Sequence, residues 1–189
     1  MITHRLHVKE NRPVAFSEAT LKKVRELIQQ YPEGKQKSAL LPVLHMAQEE
    51  LGGYLSVDVM DYVASLLQLN PIEVFEVATF YSMFYLEPVG KYVIEVCRTA
   101  PCAICGGEEI LEYLKEKLQI GVGETTPDGL FTLKTVECLG GCGYAPVLQV
   151  NTQFHEQLDQ VAIDRLLDTL RKQAADPSSA DLTWASQFC

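Results

Sequence analysis

The chain has 189 residues, 47% of them hydrophobic and 22% charged, with a formal net charge of −9. That is enough apolar material for one ordinary domain or two small ones. The acidity is spread along the chain rather than gathered in a tail, which disfavours nucleic-acid binding, because neutralising phosphates takes clustered Lys and Arg. No apolar run reaches the roughly 18 residues that span a bilayer, and Met1 to Asn11 lacks the apolar core of a signal peptide. A cytoplasmic location is the expectation. Six cysteines in that compartment suit metal ligation or redox work better than structural disulfides.

Residues 1–16 have no periodicity and read as an arm. From Ser17, a plausible N-cap, Leu21, Val24, Leu27 and Ile28 share a helical face. Tyr31-Pro-Glu-Gly34 ends that helix. A second helix follows Ser38, with Leu40, Leu44, Ala47 and Leu51 in step, and Gly52-Gly53 stops it. Ser56 caps a third helix bearing Val59, Val63, Leu66 and Leu67. Asn70-Pro71-Ile72-Glu73 is a fresh start: Asn as cap, Pro at the first helical position, and Glu placed to reach back. Four amphipathic helices on short links predict a small bundle over residues 17–87. His45 lies among apolar neighbours, with no second ligand-type residue close by, and reads as packed rather than as a ligand.

Pro88-Val-Gly90 marks a boundary. Tyr92, Ile94 and Val96 alternate with Val93 and Glu95, which predicts a strand that delivers Cys97 at its end. A helix is expected from about Gly106, with Ile110, Leu111, Leu114 and Leu118 on one face. Gly121 to Gly129 is rich in turn residues. A second strand over 130–137 delivers Cys138, and a short third covers 147–150. Asn151-Thr152 is turn-like before Phe154. Asp159 caps a last helix through Ile163, Leu166, Leu167 and Leu170. The order β-α-β-β-α suits a small sheet covered by helices over residues 88–172. Residues 173–189 hold no Lys or Arg and read as an extension whose Trp184 and Phe188 could dock on something.

The chemistry concentrates between Cys97 and Cys142. Cys97-Arg-Thr-Ala-Pro-Cys102 and Cys138-Leu-Gly-Gly-Cys142 are two local pairs, 35 residues apart. Four thiols in two pairs can close around one metal centre, and both zinc and [2Fe–2S] clusters accept four thiolates. The spacing alone leaves both open. Both pairs are expected in loops after strands, where a scaffold presents side chains at one sheet edge. Gly140, Gly141 and Gly143 would let backbone N–H groups approach cluster sulfurs, a reading preferred to tight turns alone because glycines flank both cysteines of the pair. The helix from Gly106 would point its positive end at a cluster's negative charge. Cys102-Ala-Ile-Cys105 is also a CxxC between a strand and a helix, the placement of a dithiol–disulfide oxidoreductase. That second reading leaves Cys97, Cys138 and Cys142 without a role.

The C-x4-C…C-x3-C pattern resembles that of the thioredoxin-like [2Fe–2S] ferredoxins, the 24-kDa subunit family of NADH:quinone oxidoreductase (respiratory complex I). Pro71-Ile-Glu-Val-Phe-Glu-Val-Ala-Thr-Phe-Tyr81-Ser-Met-Phe84, followed by Pro88-Val-Gly-Lys-Tyr92, resembles that family's link between a helical N-terminal domain and its ferredoxin domain. Leu41-Pro-Val-Leu-His45 and Gly53-Tyr-Leu-Ser56 are also similar, and the likeness covers roughly residues 17–172. It implies an α+β protein: a four-helix bundle, then a thioredoxin-like α/β [2Fe–2S] domain. It implies that Cys97, Cys102, Cys138 and Cys142 hold one [2Fe–2S] cluster, which makes Cys105 a spare thiol; Cys189 is not expected to be a ligand.

The implied activity belongs to a complex. Its partner would be a flavoprotein subunit that binds FMN and NADH, and the whole would sit at the inner membrane with this chain making no direct membrane contact. The chain has no G-x-G-x-x-G or Walker motif and no acid–base constellation, so no catalytic site of its own is expected. A subunit of an NAD-reducing hydrogenase or formate dehydrogenase fits the same pattern, and a structural zinc module remains the alternative metal reading.

Overall fold

The computed structural model describes residues 13–175. The expected arm up to residue 12, and the extension from residue 176 with Trp184, Phe188 and Cys189, lie outside the described residues. The chain is a mixed helix and sheet fold that divides into two compact units, with the break between Pro88 and Val89.

The first unit is helical: α1 (Glu18–Ile28), a 3-10 turn (Gln36–Ala39), α2 (Leu40–Glu50), α3 (Val57–Leu67) and α4 (Pro71–Phe80). The helix starts follow local hydrogen-bond chemistry. Thr20 N–H donates to Ser17 Oγ at 3.3 Å, and Val59 N–H to Ser56 Oγ at 3.4 Å. Asn70 N–H donates to Glu73 Oε2 at 3.1 Å, the reach-back half of a capping box. The second helix differs from expectation at its start: Ser38 lies inside the 3-10 turn, and α2 begins two residues later with no side-chain cap. Val24, Val43, Leu44, Leu55, Val63 and Val74 meet in one core. Phe16, ahead of α1, is buried there too; its N–H donates to Tyr62 Oη at 3.0 Å, and its ring meets Tyr62 edge-on. The segment after α4 folds back on α2 through the Gln48 amide, which donates to Met83 O at 3.0 Å and accepts from Tyr85 N–H at 2.7 Å.

His45 sits in α2 with its ring centroid 4.9 Å from that of Phe84. Burial lowers its pKa from 6.5 to about 4. The fold therefore prefers neutral His45. The corresponding stability is fully present above pH 6.5 and is lost as pH falls towards 4. A His45→Gln variant is expected to show a shallower fall in unfolding free energy across that window. Parallel slopes for the two proteins in denaturant titrations would contradict this.

The second unit runs β1 (Tyr92–Cys97), α5 (Ala100–Ile104), α6 (Gly107–Leu118), β2 (Phe131–Val136), a 3-10 turn (Cys142–Tyr144), β3 (Leu148–Val150), β4 (Gln153–His155) and α7 (Gln160–Ala175). The sheet order is β2-β1-β3-β4. β1 pairs with β2 in parallel, Tyr92 opposite Phe131 and Cys97 opposite Val136, so a helical crossover must join them. β3 runs antiparallel to β1, and β4 antiparallel to β3. Ile94, Val96, Leu133 and Leu148 pack with Leu114 of α6 and Ile163 and Leu167 of α7 in one core. Leu114 and Leu133 are fully buried; truncating either to Ala would cost about 2–5 kcal/mol.

α5 and β4 are additions to the expected order. All of β1 is buried, so its alternation does not divide a wet face from a dry one. Asp159 caps α7 as expected, accepting from Ala162 N–H at 2.7 Å. Among the described residues no helix is long and apolar enough to cross a membrane.

Candidate metal centre

The parallel register carries both cysteine arms to one end of the sheet. Cys97 is the last residue of β1, opposite Val136 of β2, and Cys138 follows two residues later. Cys97 N–H donates to Val147 O at 3.2 Å and Arg98 N–H to Val136 O at 3.1 Å, so the strand end is held from both sides. The arms are also joined by a forked ion pair: Arg98 Nη2 and Nε lie 2.6 and 3.0 Å from Glu137 Oε1. Both side chains are largely exposed, so the pair adds little stability, but it links the residue after Cys97 to the residue before Cys138.

The expectation that both pairs occupy loops needs correction. Cys97 ends a strand, Cys102 lies inside the five-residue helix α5, and Cys142 opens a 3-10 turn. α5 has a proline in its first turn, a start signal that helices favour. It was hard to see because Thr99, its cap position, makes no capping bond there. The Thr99 hydroxyl instead lies 3.2 Å from Cys97 Sγ.

Helix α6 begins against the first pair. A Cβ added at Gly107 would stand 2.8 Å from Cys102 O and 3.3 Å from Cys97 O, so only glycine lets the helix come this close. The partial positive charge at a helix N-terminus therefore lies beside Cys97 and Cys102. The second pair approaches from the other arm. Leu139 and Ala145 pack on Cys97, Cys102 and Val147. Gln157 N–H donates to Tyr144 O at 2.8 Å, and Leu158 N–H to Pro146 O at 3.3 Å, which ties the Cys142 turn to the segment after β4.

The two pairs differ in exposure. Cys97 and Cys102 are each 2% exposed, while Cys105, Cys138 and Cys142 are open to solvent. Cys138 Sγ and Cys142 Sγ are 3.8 Å apart. That matches the edge of a tetrahedron of sulfurs about 2.3 Å from a metal, which is about 3.8 Å. Gly140, at φ +85°, donates its N–H to Cys138 Sγ at 3.4 Å. Among the described residues no three His, Cys, Asp or Glu side chains gather as a site for a single ion; the thiols stand as two pairs.

The pairs nevertheless feel one another. Burial pushes the Cys97 thiol up, but hydrogen bonds from the Thr99 hydroxyl, the Leu139 and Thr99 N–H groups and Cys102 outweigh it and leave Cys97 below the ordinary thiol value. Cys102 is pushed up by burial first, then by its hydrogen bond with Cys97 and the charges of Cys97 and Cys142. Cys142 is raised by its hydrogen bond with Cys138, then by the charges of Cys138 and Cys97. Four thiols in two pairs, delivered to one end of the sheet, are a donor set of the kind that an iron–sulfur centre takes. Cys105, at the end of α5, is exposed.

Residues 24–171 match the family model of the thioredoxin-like [2Fe–2S] ferredoxins. The E subunit of the NADH-quinone oxidoreductase of Rickettsia typhi is 42% identical over 158 residues, which cover 84% of this chain and 93% of that one. The mitochondrial NADH dehydrogenase [ubiquinone] flavoprotein 2 of Dictyostelium discoideum is 41% identical over 162 residues, 86% of this chain and 66% of that one. The solved structure of an NAD+-reducing [NiFe]-hydrogenase in the H2-reduced state superposes with a TM-score of 0.63 at 24% identity, over 71% of this chain but only 22% of the hydrogenase chain. That last likeness is one of fold. The family model spans both compact units and both cysteine pairs, and the chain belongs to the thioredoxin-like [2Fe–2S] ferredoxin family.

Proposed function

We propose that Cys97, Cys102, Cys138 and Cys142 hold one [2Fe–2S] cluster, and that the chain is the electron-transfer subunit of an NADH:quinone oxidoreductase. Its partner is the flavoprotein subunit that binds FMN and NADH. The observation that carries the reading is the delivery of both cysteine arms to one end of the sheet by the parallel register of β1 on β2, with Leu139 and Ala145 of the second arm packed on Cys97 and Cys102. Two pairs, rather than one knot of thiols, suit a dinuclear centre in which each iron takes one pair. The identity to the E subunit of an NADH-quinone oxidoreductase over nearly its whole length supports this complex over a hydrogenase, of which the chain spans 22%.

Such a cluster supplies one-electron uptake and release. The rest is the work of this chain's residues. Cys97 and Cys102 form the dry side of the site and keep water from it. The Gly140 N–H at Cys138 Sγ, with the N–H groups of Leu139 and Val147 at Cys97 and Cys102, stabilises negative charge on the sulfurs. Cys138 and Cys142 form the open side of the site. The helical unit is read as a four-helix bundle over residues 17–87 that packs on the complex rather than holding the cluster. The complex holds the chain at the cytoplasmic side of the inner membrane.

Anaerobically purified protein is expected to be red-brown, with about two irons and two acid-labile sulfides per chain. A colourless protein with one zinc and no sulfide would move the assignment to a structural zinc module. Because the chain carries no nucleotide-binding motif, it is expected to show no NADH binding by calorimetry when alone, and NADH-dependent reduction only with the flavoprotein present. Heat of NADH binding to the isolated chain would contradict that division of labour.

A further inference from the structure

We propose that Cys138 and Cys142 are also a redox-modification site. In the metal-free chain a low-molecular-weight disulfide of the glutathione type oxidises them to a disulfide, and this blocks cluster loading until a thiol reductant reopens it. The loading part rests on the cluster assignment above; the disulfide itself does not.

Access selects this pair. A dissolved disulfide must reach the attacking sulfur, and Cys97 and Cys102 are 2% exposed while Cys138 and Cys142 are open. Proximity selects it as well. Their sulfurs are 3.8 Å apart, so they must close by about 1.8 Å to reach the disulfide bond length of about 2.0 Å. Of the intervening residues, Gly140 at φ +85° has open space where a Cβ would stand, whereas a Cβ at Gly141 would meet Val147 Cγ2 at 3.0 Å, so the closure falls on the Cys138–Gly140 side of the loop. Cys105 is exposed, but the thiol nearest to it in sequence, Cys102, is buried, whereas Cys138 and Cys142 are both open and already close.

The chemistry balances in two exchanges. The thiolate of one cysteine attacks the small disulfide, breaks its S–S bond and releases one small thiol, leaving a mixed disulfide on the protein. The second cysteine attacks the protein sulfur of that mixed disulfide and expels the second small thiol. Two electrons pass from the pair to the small disulfide, and the two protons lost by Cys138 and Cys142 end on the released thiols. Two of the four sulfurs proposed as ligands are then unavailable to iron.

The test uses the full-length Cys105→Ser protein, reduced, freed of metal and kept anaerobic. It is treated with glutathione disulfide, alkylated under denaturing conditions and mapped by peptide mass spectrometry. The expected product carries a Cys138–Cys142 disulfide, with Cys97 and Cys102 alkylated. Its uptake of iron and sulfide is expected to fall at least about tenfold and to return after dithiothreitol. A Cys97–Cys102 disulfide, a lasting glutathione adduct on Cys138 or Cys142, or undiminished iron uptake by the oxidised protein would overturn the proposal. In the wild-type protein a Cys102–Cys105 disulfide in place of Cys138–Cys142 would overturn it too. Failure of the fully reduced protein to take up iron would instead sink the cluster assignment, and the peptide map would still decide the disulfide.

Discussion

Serine at any one of Cys97, Cys102, Cys138 or Cys142 is expected to empty the site, whereas serine at Cys105 leaves about two irons per chain in place. Soft thiolates are what such a centre selects, and a serine oxygen is a harder and poorer donor. Loss of an outer partner of a metal ligand already costs about 10–100-fold in affinity, so loss of a ligand costs more. The buried pair should be the less forgiving. Cys97 and Cys102 are 2% exposed, which leaves water little access to fill a missing position. Cys105 lies three residues from Cys102, so Cys102→Ser is to be measured beside the Cys102→Ser/Cys105→Ser double variant, which removes any substitution of one thiol for the other. Iron content and the EPR spectrum of the reduced protein read the result. Cys105→Ser losing its iron while Cys97→Ser keeps it would show that the ligand set is wrong.

The second large effect is expected at Gly107. An added Cβ would sit 2.8 Å from Cys102 O and 3.0 Å from Cys102 C, both backbone atoms that cannot swing aside. Alanine gains up to about 1 kcal/mol over glycine from helix propensity. Overpacking against backbone costs about 1–3 kcal/mol. Repulsion is therefore expected to win, and the strain falls on the segment that presents Cys102. Gly106→Ala is the control. Gly106 has φ +94° and only the Glu109 side chain near its Cβ position, so alanine there costs about 1–2 kcal/mol through backbone strain alone. Both variants should unfold at lower denaturant, but only Gly107→Ala should also shift the EPR spectrum and speed loss of iron. Identical spectra for the two would mean that the α6 contact does not position Cys102.

Much of the fold was legible because it is written in local chemistry. Ser17, Ser56, Asn70 with Glu73, and Asp159 each mark a helix start, and each accepts or organises hydrogen bonds within four residues of itself. The strand that ends at Cys97 was legible from its run of Tyr, Val and Ile. The elements that were missed lack such signals. Gln153–His155 is a three-residue strand with a half-exposed Phe154, defined by its pairing with β3 and not by its own pattern. Ala100–Ile104 is too short to show a helical face, and its Thr99 hydroxyl serves Cys97 instead of the cap.

The site divides along the same line. The sequence by itself determined two cysteine pairs, each tight enough to hold one side of a centre, and the glycines around the second, because pair spacing is a property of a few consecutive residues. It could not determine that both arms reach one end of the sheet. That was decided by the parallel register of β1 on β2, which brings Cys97 level with Val136, and by the packing of Leu139 and Ala145 on the first pair. It was also tertiary structure that made Cys97 and Cys102 buried and left Cys138, Cys142 and Cys105 open. The physical reason is range. Caps and turns are closed by bonds between near neighbours, whereas the approach of two arms 35 residues apart is driven by burying a shared sheet face under α6 and α7, a term that no short window of sequence contains.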